Sequence, residues 1–556
     1  MHTEERWQHS AFRWADRIGG LDAKALFTHP GPLKKYDSKS ARKRICVIGG
    51  GVAGLSAAYE LANLGHGVTV FESSDRWGGR ILTHRFGDTT YGEFGAMRIP
   101  RGHGCVDHYV EEFNLERRPF VACNNNAFYF LRGAKCRIRD WPEIAGCYMP
   151  VDSMYHRSPG DLLNQMLSSF PPFSDKAAWE QFSNEITGDE LRRVEELSLF
   201  QAMTTSLLPT GPRLPEEIWR YLGRTTHHFW LEQWSMLHWL REARALDDGG
   251  KYEIVGGMFG LVQGFLDGLE KCNPRPILLS GTRVVEVRIV SEGVRVSSLR
   301  CEAAPSPVQK ETFDYVICTA PADGTAQIEF YPKLDPKKFE ALTSISYIAA
   351  GKTLMHCKKR HWEFIDGIYG GSSITDLPNQ QCWYPSDNSE PWSDDDSDHL
   401  TSSLEVFPGT NIDDASTHPT DWNPKDKNLS QSPGVFLAAY VWGGNARRFA
   451  SMSDNERTEL MVRGIEGLHP RNKEYLDDIV HWSWDAQRSP GGGAFAYFAP
   501  GDQSRYQEAL CKPVVDEKGR PRVCFAGEHL GVIQGWIQSA IQTGLTAAIT
   551  VLQGEQ

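Results

Sequence analysis

One stretch near the amino-terminal end of the chain constrains the fold more than any other. Residues 44–72 read RICVIGGGVAGLSAAYELANLGHGVTVFE, in which a β-branched apolar run enters a glycine-rich turn. Apolar residues then recur at helical spacing, and a second apolar run, VTVF, follows. This alternation is typical of a strand-helix-strand unit, whose two strands lie parallel in one sheet with helices packed on it. The sequence therefore predicts an α/β core built on a parallel sheet.

The glycines of this stretch have the spacing of a nucleotide-binding turn. Gly49, Gly51 and Gly54 form GxGxxG between the predicted strand and the predicted helix. Without a Cβ atom they permit a tight turn and a close approach of the backbone to a pyrophosphate, which the helix N-terminus then binds. Glu72 ends the second strand, where its carboxylate can accept hydrogen bonds from ribose hydroxyls and would repel a 2′-phosphate. A dinucleotide other than NADP is predicted.

The residues after Glu72 add a second glycine motif with two cations. The segment SSDRWGGRILTHRF places Arg76 and Arg80 on either side of Gly78 and Gly79. Guanidinium groups bind phosphate oxygens well, and additional donors beside a glycine pair suit a longer, bent cofactor. FAD fits this description, because its pyrophosphate and ribityl chain need more partners than the first turn supplies.

Together with three later motifs, these residues resemble those of the flavin amine oxidases. GEFGAMRIP occupies residues 92–100, EIVGGM residues 253–258 and FAGEHLGVIQGWIQSAIQTGLTAA residues 525–548, in the order of that family. The combination is similar to the L-amino-acid oxidase branch, including its bacterial tryptophan monooxygenase and phenylalanine oxidase relatives. The resemblance spans about residues 41–556. It implies that the cofactor is FAD.

The order of the predicted elements indicates domains built from discontinuous segments. Strand signals come early, a helical block follows, and strand signals return in ILLSGTRVVEVRIV and DYVICTAP. The predicted fold class is mixed α/β and α+β, with a Rossmann-like FAD-binding domain, a mixed-sheet substrate-binding domain and an inserted helical subdomain. The predicted segments are 41–75, 250–330 and 515–556 for the FAD-binding domain, 1–40, 76–150 and 331–514 for the substrate-binding domain, and 151–249 for the helical subdomain. An acidic stretch at 385–403 is predicted to be a solvated loop.

The resemblance also implies which residues hold the cofactor. Glu528 would lie at the ribityl-pyrophosphate region, Val284 would pack at the adenine, and the backbone around Ala96 would lie along the flavin ring. The full set of implied cofactor-binding residues is Gly49, Gly51, Ala53, Gly54, Glu72, Ser73, Arg76, Gly79, Arg80, Gly95, Ala96, Met97, Arg98, Val284, Glu528, Gly535, Trp536 and Ile537.

Five of the implied substrate-site residues come from four separate motifs. Arg98, in GAMRIP, matches the arginine that holds the substrate α-carboxylate, and a planar guanidinium can do so bidentately. Tyr384, in WYP, resembles a tyrosine that gives this carboxylate a second donor. Lys352 matches the lysine that holds a water against flavin N5. Gly535 and Trp536 resemble the pair in which a backbone carbonyl accepts from the substrate amine and an indole walls the site.

Further candidates leave alternatives open. His238 is near the position of a proposed active-site histidine in some relatives, but a histidine among Trp and Leu on a helix is often a core residue. His356 and Cys357 point to opposite faces of a strand, so together with His361 they predict no metal site. Large substrates could occupy an aromatic pocket, whereas a cationic side chain could bind Asp485. The residues of that aromatic pocket would be Trp482, Trp484, Phe495 and Trp536.

The resemblance implies oxidation of the Cα–N bond of an L-amino acid. Hydride passes from Cα to flavin N5, water converts the imino acid to a 2-oxo acid and ammonia, and O2 becomes hydrogen peroxide. One alternative is an amino-acid 2-monooxygenase, which yields the amide by oxidative decarboxylation. A polyamine or monoamine oxidase is a second, although Arg98 would repel an amine that lacks a carboxylate. A flavin-bearing protein without turnover is the third.

Composition restricts the partners. The net charge of −12 argues against a nucleic-acid surface, which needs a concentrated basic footprint. No apolar run of about 18 residues predicts a membrane span, and the first residues lack the apolar core of a signal peptide. The 12 cysteines show no CxxC pair. A cytoplasmic enzyme is therefore expected, acting on a small L-amino acid and O2 as a homodimer.

Overall fold

A six-stranded sheet at the centre of the fold carries the glycine-rich turn. Five of its strands are parallel, and the inner ones owe their apolar sequences to burial on both faces. Ile45 and Val47 pack into one core cluster, while Cys46 and Ile48 pack into another on the opposite face. In order, the strands are Ile277–Leu279, Gly67–Phe71, Arg44–Ile48, Tyr315–Cys318, Pro521–Phe525 and the antiparallel Val514–Val515.

The computed structural model describes most of the chain. The described ranges are 28–37, 41–168, 189–207, 213–226, 228–245, 250–301, 307–389, 424–485 and 492–554. The predicted amino-terminal arm lies largely outside these ranges, as does the acidic loop from residue 390 onwards.

Helices cover one face of the central sheet. The predicted helix after the glycine turn is Val52–Asn63, and it packs against the long carboxy-terminal helix Ile537–Gln553 and against Phe259–Lys271. The opposite face packs on a four-stranded sheet through Val284, Val287 and their neighbours. That sheet consists of Gln309–Phe313, Gly293–Arg300, Thr282–Val290 and Glu329–Tyr331.

A seven-stranded, mostly antiparallel sheet forms the second large layer. Its strands are Leu476–Ser483, Ala350–Cys357, Gly434–Trp442, Gln381–Trp383, Ser372–Thr375, Phe128–Leu131 and Ala134–Arg137. Smaller sheets pair Thr83–Phe86 with Thr90–Glu93, pair Ser346–Ile348 with Phe495–Tyr497, and place Lys251–Ile254 between Ile99–Pro100 and Arg117–Pro119.

The described part of residues 151–245 is helical and contains no strand, in agreement with the periodicity of the sequence. In Glu216–Thr225 the side chains of Trp219 and Leu222 are buried, while Glu216 and Arg220 are exposed, so one amphipathic face packs on the seven-stranded sheet. The other helices of this block are Pro159–Ser168, Asp189–Glu195, Leu199–Thr204 and Met236–Ala245.

The remaining helices connect the layers. They are Gly104–Glu112, Trp141–Ala145, Ala322–Ala326, Pro336–Ser344, His361–Phe364, Gly443–Ser451, Asp454–Leu468, Asn472–Tyr475 and Asp502–Cys511, with 3-10 turns at Leu33–Tyr36, Ile138–Asp140, His228–Leu231, Leu429–Gln431 and Glu528–Leu530. Over the described ranges, no helix has both the length and the apolar character that a membrane crossing requires. The mixed fold class with a Rossmann-like parallel sheet is confirmed, whereas the predicted domain boundaries stay a prediction.

Candidate functional site

A cavity of about 530 Å³ runs from the glycine-rich turn to the QGW segment. One end is lined by Gly49, Gly51, Ala53 and Ser73, together with Val284. The other end is lined by residues from the seven-stranded sheet, the helical block and the carboxy-terminal motif. Segments distant in sequence therefore meet in one elongated site.

The glycines at the first end are required by close contacts. Gly49 has φ of +109°, and a Cβ atom there would lie 2.5 Å from Thr319 Oγ1. A Cβ atom on Gly54 would lie 2.0 Å from the Gly49 carbonyl oxygen. Gly54 itself lies beneath the lining, so it acts by letting the helix Val52–Asn63 approach the strand. The helix N-terminus consequently points its N–H groups into the cavity.

Glu72 is anchored at the end of its strand. Its Oε2 accepts a hydrogen bond from the Gly50 amide at 2.7 Å, and its Oε1 accepts from the Ser74 amide at 2.7 Å. The side chain is 7% exposed and lines the cavity beside Ser73. Two amides thus hold a carboxylate where a ribose would need an acceptor.

The two arginines of the second glycine motif have different surroundings. Arg80 lines the cavity and donates to Glu528 Oε1 at 2.5 Å, while Glu528 Oε2 accepts from the Gly535 amide at 2.9 Å. Burial alone would raise the pKa of Glu528, but Arg80 holds this pKa below its ordinary value. Arg76 lies outside the lining, where its guanidinium stacks 5.7 Å from the Trp482 ring centroid.

Lys352 reaches the cavity from the strand Ala350–Cys357. Its Nζ donates to the Gly95 carbonyl at 2.7 Å and to the Glu93 carbonyl at 3.2 Å, and lies 4.5 Å from the Tyr440 ring centroid. The side chain is 2% exposed, and burial lowers the pKa of Lys352 to about 7. Gly95, Ala96 and Met97 line the same wall. The amine is therefore fixed by the backbone of the predicted flavin-facing segment.

Arg98 also lines the cavity, and two aromatic rings orient it. Its guanidinium carbon lies 4.9 Å from the Trp383 ring centroid and 5.7 Å from that of Phe120. Stacking against ring faces fixes the guanidinium plane, and an arginine held in this way presents its N–H edges in a defined direction. Such an edge can bind a carboxylate bidentately.

The structure places Tyr384 away from the cavity. Its hydroxyl hydrogen bonds with Ser373 Oγ at 2.7 Å and with His469 Nε2 at 2.7 Å in a buried network. The reason is the alternation of side chains along an extended segment. Trp383 packs in the cluster beside Arg98, whereas Tyr384, the next residue, packs in the cluster on the other face of the sheet.

Tyr440 lines the cavity instead and was missed by the sequence reasoning. It lies on the strand Gly434–Trp442, where Tyr440 and Trp442 line the cavity and Val441 between them packs into the opposite core cluster. The alternation of YVW was the available signal, but sequence alone does not show which face of a doubly buried strand meets a ligand.

His238 packs as a core residue. Its ring meets Trp234 edge-on at 4.8 Å and Phe498 at 6.0 Å, and it is 1% exposed. Burial lowers the pKa of His238 to about 3, so the ring is neutral. It lies outside the cavity lining, and the same helical block lines the cavity through Leu231, Trp234 and Glu242. Sequence reasoning did not identify these three residues.

Gly535, Trp536 and Ile537 line the far end, as the motif predicts, together with Trp484 and Phe495. The Trp484 indole donates to the Phe94 carbonyl at 2.9 Å, which fixes its ring. Trp482 and Asp485 lie outside the lining.

Another polar cluster lies elsewhere, around His361, Asp366 and His469. Their potential ligand atoms lie within 4.8 Å of one another. His469 Nδ1 hydrogen bonds with Asp366 at 2.8 Å, and His361 Nε2 hydrogen bonds with Asn472 at 3.0 Å. The expectation that the protein holds no metal stays a prediction.

Comparison with known proteins agrees with this geometry. The family model described as flavin containing amine oxidoreductase matches residues 52–552. An L-amino-acid oxidase of Echis ocellatus is 30% identical over 527 residues, covering 92% of this chain and 90% of that protein. An L-amino acid oxidase of Bothrops pictus is 30% identical over 529 residues, with coverage of 92% and 90%.

Solved structures of low sequence identity share the fold. Cyclohexylamine oxidase from Brevibacterium oxydans has a TM-score of 0.61 at 16% identity, covering 92% of this chain and 99% of that one. A redesigned putrescine oxidase, a triple mutant, has a TM-score of 0.64 at 17% identity, with coverage of 92% and 98%.

Proposed function

Because the chain belongs to the flavin-containing amine oxidoreductases, we propose that it catalyses the FAD-dependent oxidative deamination of L-amino acids. The observation that carries the proposal is Arg98, a stacked guanidinium that lines the same cavity as Lys352 and Gly535. An α-amino acid offers this guanidinium a carboxylate that it can bind bidentately, whereas a simple amine does not.

The cavity residues fit FAD, which is the cofactor. The glycine cradle leaves no space for a Cβ atom at Gly49 or Gly54, as close passage of a pyrophosphate over a helix N-terminus requires. Glu72, Val284 and the Arg80–Glu528 pair line the length beyond it. When bound, FAD accepts the hydride that leaves the substrate Cα atom.

Three groups would fix the substrate in this proposal. Arg98 binds the α-carboxylate bidentately, and Tyr440, in place of the Tyr384 that the resemblance implies, is a second donor to that carboxylate. The carbonyl of Gly535 accepts a hydrogen bond from the amine. With two substituents of Cα held, the carboxylate and the amine, and with the side chain left to occupy the rest of the cavity, the direction of the Cα–H bond is set, which favours one enantiomer and the reactive orientation.

Lys352 would hold a water in the cavity wall. Two of its donor positions bind the carbonyls of Glu93 and Gly95, and the third faces Met97 Sδ at 3.6 Å, a weak acceptor in whose place a water would be the stronger partner. With a pKa of about 7, the amine can hold or release a proton near neutral pH. The substrate must also lose an ammonium proton, because only the neutral amine has a lone pair that supports departure of the hydride.

The proposed reaction also defines its products. O2 takes up the electrons as hydrogen peroxide, and water converts the imino acid to a 2-oxo acid and ammonia. All twelve cysteines are free thiols, which supports a reducing cytoplasmic location. A homodimer is also proposed, and sedimentation at several concentrations tests it.

A peroxide assay of the FAD-loaded protein against the twenty L-amino acids and several D forms tests the activity. Peroxide together with a 2-oxo acid supports deamination, and an amide product would instead identify the monooxygenase. Failure of the flavin to bleach with any amino acid under anaerobic conditions would identify a binding protein without turnover.

Arg98→Ala tests how the substrate is held. The KM for amino acids is expected to rise about tenfold to a hundredfold, since charge-assisted hydrogen bonds are lost. Any activity on simple amines should change little. Unchanged kinetics with amino acids would remove Arg98 from the site.

A further inference from the structure

A thioether lies beside the amine of Lys352. The Nζ atom of Lys352 is 3.6 Å from Met97 Sδ, in addition to its hydrogen bonds with the Glu93 and Gly95 carbonyls. Met97 and Lys352 both line the cavity, and Met97 is partly exposed. The sulfur atom is therefore held at the part of the wall where Lys352 is proposed to hold a water.

The position of this sulfur matters because of the proposed product. The inference rests on the proposed function, in which hydrogen peroxide forms inside this cavity. Peroxide oxygens accept hydrogen bonds as a water does, so the donor position of Lys352 that suits a water also suits peroxide. Peroxide bound there would lie against the Met97 thioether, and methionine is a common site of oxidation to the sulfoxide.

Other sulfur-containing residues have different surroundings. Met154 is 68% exposed and lies outside the lining. In the described lining, the one other residue with sulfur is Cys301, which follows the strand Gly293–Arg300 at the end of the cavity lined by Val284. Five further methionines are at most 1% exposed and pack in the core, namely Met203, Met236, Met258, Met355 and Met461. Met97 is thus the thioether that the described lining presents to a product of the cavity.

We infer that Met97 is a modification site, at which hydrogen peroxide made by the enzyme converts the thioether to methionine sulfoxide during turnover. In this step a lone pair of Sδ attacks one peroxide oxygen, so that an S–O bond forms and the O–O bond breaks. The sulfur is oxidised and the peroxide is reduced. The proton of the transferred oxygen passes to the leaving hydroxide, which departs as water, and the Lys352 amine lies where it can relay that proton.

Oxidation at this position should inactivate the site. A thioether is a weak acceptor, whereas the oxygen of a sulfoxide is a polar one, so Lys352 would donate to it in place of the water. Arg98 is the next residue along the chain, and it carries the proposed contact with the substrate carboxylate. The enzyme would therefore lose activity with the number of its turnovers, which limits the amount of peroxide that it releases.

The test follows oxidation of Met97 in the FAD-loaded wild type. The protein is incubated with an L-amino acid that it oxidises and with catalase, which removes peroxide that has left the cavity. After digestion, mass spectrometry measures the gain of one oxygen atom at Met97 and at Met154. Met154 is the matched control, because its exposed thioether reports peroxide in bulk solution. A second sample receives peroxide without amino acid or catalase.

During turnover with catalase, Met97 should gain oxygen while Met154 stays unmodified, and activity should fall in parallel with the modification of Met97. Added peroxide alone should modify Met154 severalfold faster than Met97. Met97→Leu keeps the apolar volume without the sulfur. Relative to its own initial rate, this variant should lose activity severalfold more slowly per turnover than wild type, whereas Met154→Leu should lose it as fast as wild type.

Three results would overturn the inference. The first is a Met97 that stays unmodified after prolonged turnover, or that is oxidised without loss of activity. The second is protection of Met97 and Met154 alike by catalase, which would show that the oxidant comes from bulk solution. Both are measured on wild type, so they hold even where Met97→Leu fails to fold or to retain flavin. The third is inactivation of Met97→Leu as fast as wild type. Absence of oxidation with every amino acid would instead overturn the proposed function.

Discussion

At the scale of single residues, Tyr440 and Tyr384 lie in different surroundings, and substitution of each should have a different effect. Tyr440 lines the cavity beside Lys352, whereas the Tyr384 hydroxyl is bonded to Ser373 and His469. Tyr440→Phe should raise the KM for amino acids about tenfold through loss of one donor to the carboxylate. Tyr384→Phe should keep the KM and lower the free energy of unfolding by about 1–3 kcal/mol. The reverse assignment of the two effects would restore Tyr384 to the site.

The buried amine of Lys352 should make the stability of the protein depend on pH. Its pKa is about 7 in the folded protein because of burial, against about 10.4 for an exposed lysine. Between about pH 7 and about pH 10 the unfolded chain binds a proton that the folded protein does not, so the free-energy cost of burying this amine falls as the pH rises. Relative to Lys352→Met, wild type should therefore gain about 1 kcal/mol of unfolding free energy per pH unit.

Glu93 strengthens the same trend. Burial raises the pKa of Glu93 to about 8, and the amine of Lys352 opposes that rise. In Lys352→Met the carboxyl would stay protonated to higher pH, so the variant loses stability as the pH increases. Urea denaturation of both proteins between about pH 7 and about pH 9 measures the difference. A constant difference would contradict a depressed pKa at Lys352.

At the scale of elements, the sequence predicts which segments form strands and helices better than it predicts which face of a strand lines the cavity. Spacing and β-branched runs predict the strands Arg44–Ile48 and Gly67–Phe71 and the helix between them, because each is specified within its own residues. The orientation of a buried strand is not specified in this way, since both faces are apolar. The resemblance implies Tyr384 in WYP, whereas in the structure the strand Gly434–Trp442 carries Tyr440 to the cavity.

The glycine turn provides a prediction at the element scale. Gly54→Ala places a Cβ atom 2.0 Å from the Gly49 carbonyl oxygen, so strand and helix must separate. The variant should lose bound flavin, and its free energy of unfolding should fall by about 1–3 kcal/mol. Flavin absorbance per protein and urea denaturation measure the two effects.

Gly444→Ala is the control for that substitution, because no atom lies within 4 Å of a Cβ placed there. It lies in the helix Gly443–Ser451, where alanine should be neutral or stabilising by about 0.5–1 kcal/mol. Equal flavin loss in both variants would show that the turn tolerates a side chain.

At the scale of the whole molecule, motif order predicts the family, but long-range packing determines the site. Arg98, Lys352 and the QGW motif each carry a local signature, so sequence reasoning identifies them. Trp234 and Glu242 carry none, because their presence in the cavity depends on how the helical block packs against the sheets. For His238 the opposite holds: the sequence places it near a proposed active-site histidine, but the structure buries it against Trp234.

The cavity spans several layers, so cofactor binding should stabilise the molecule as a unit. Its lining takes residues from the central sheet, the seven-stranded sheet and the helical block, and an unfolded chain cannot bring these together. Protein stripped of FAD should denature at lower temperature, and added FAD should restore about 2.7 kcal/mol at a concentration of about 100 times Kd. NADP should give no shift, because Glu72 would face its 2′-phosphate. Thermal denaturation at several concentrations of FAD and of NADP measures the change in denaturation temperature that each cofactor causes. Equal changes with the two cofactors would contradict the assignment of Glu72 to the ribose.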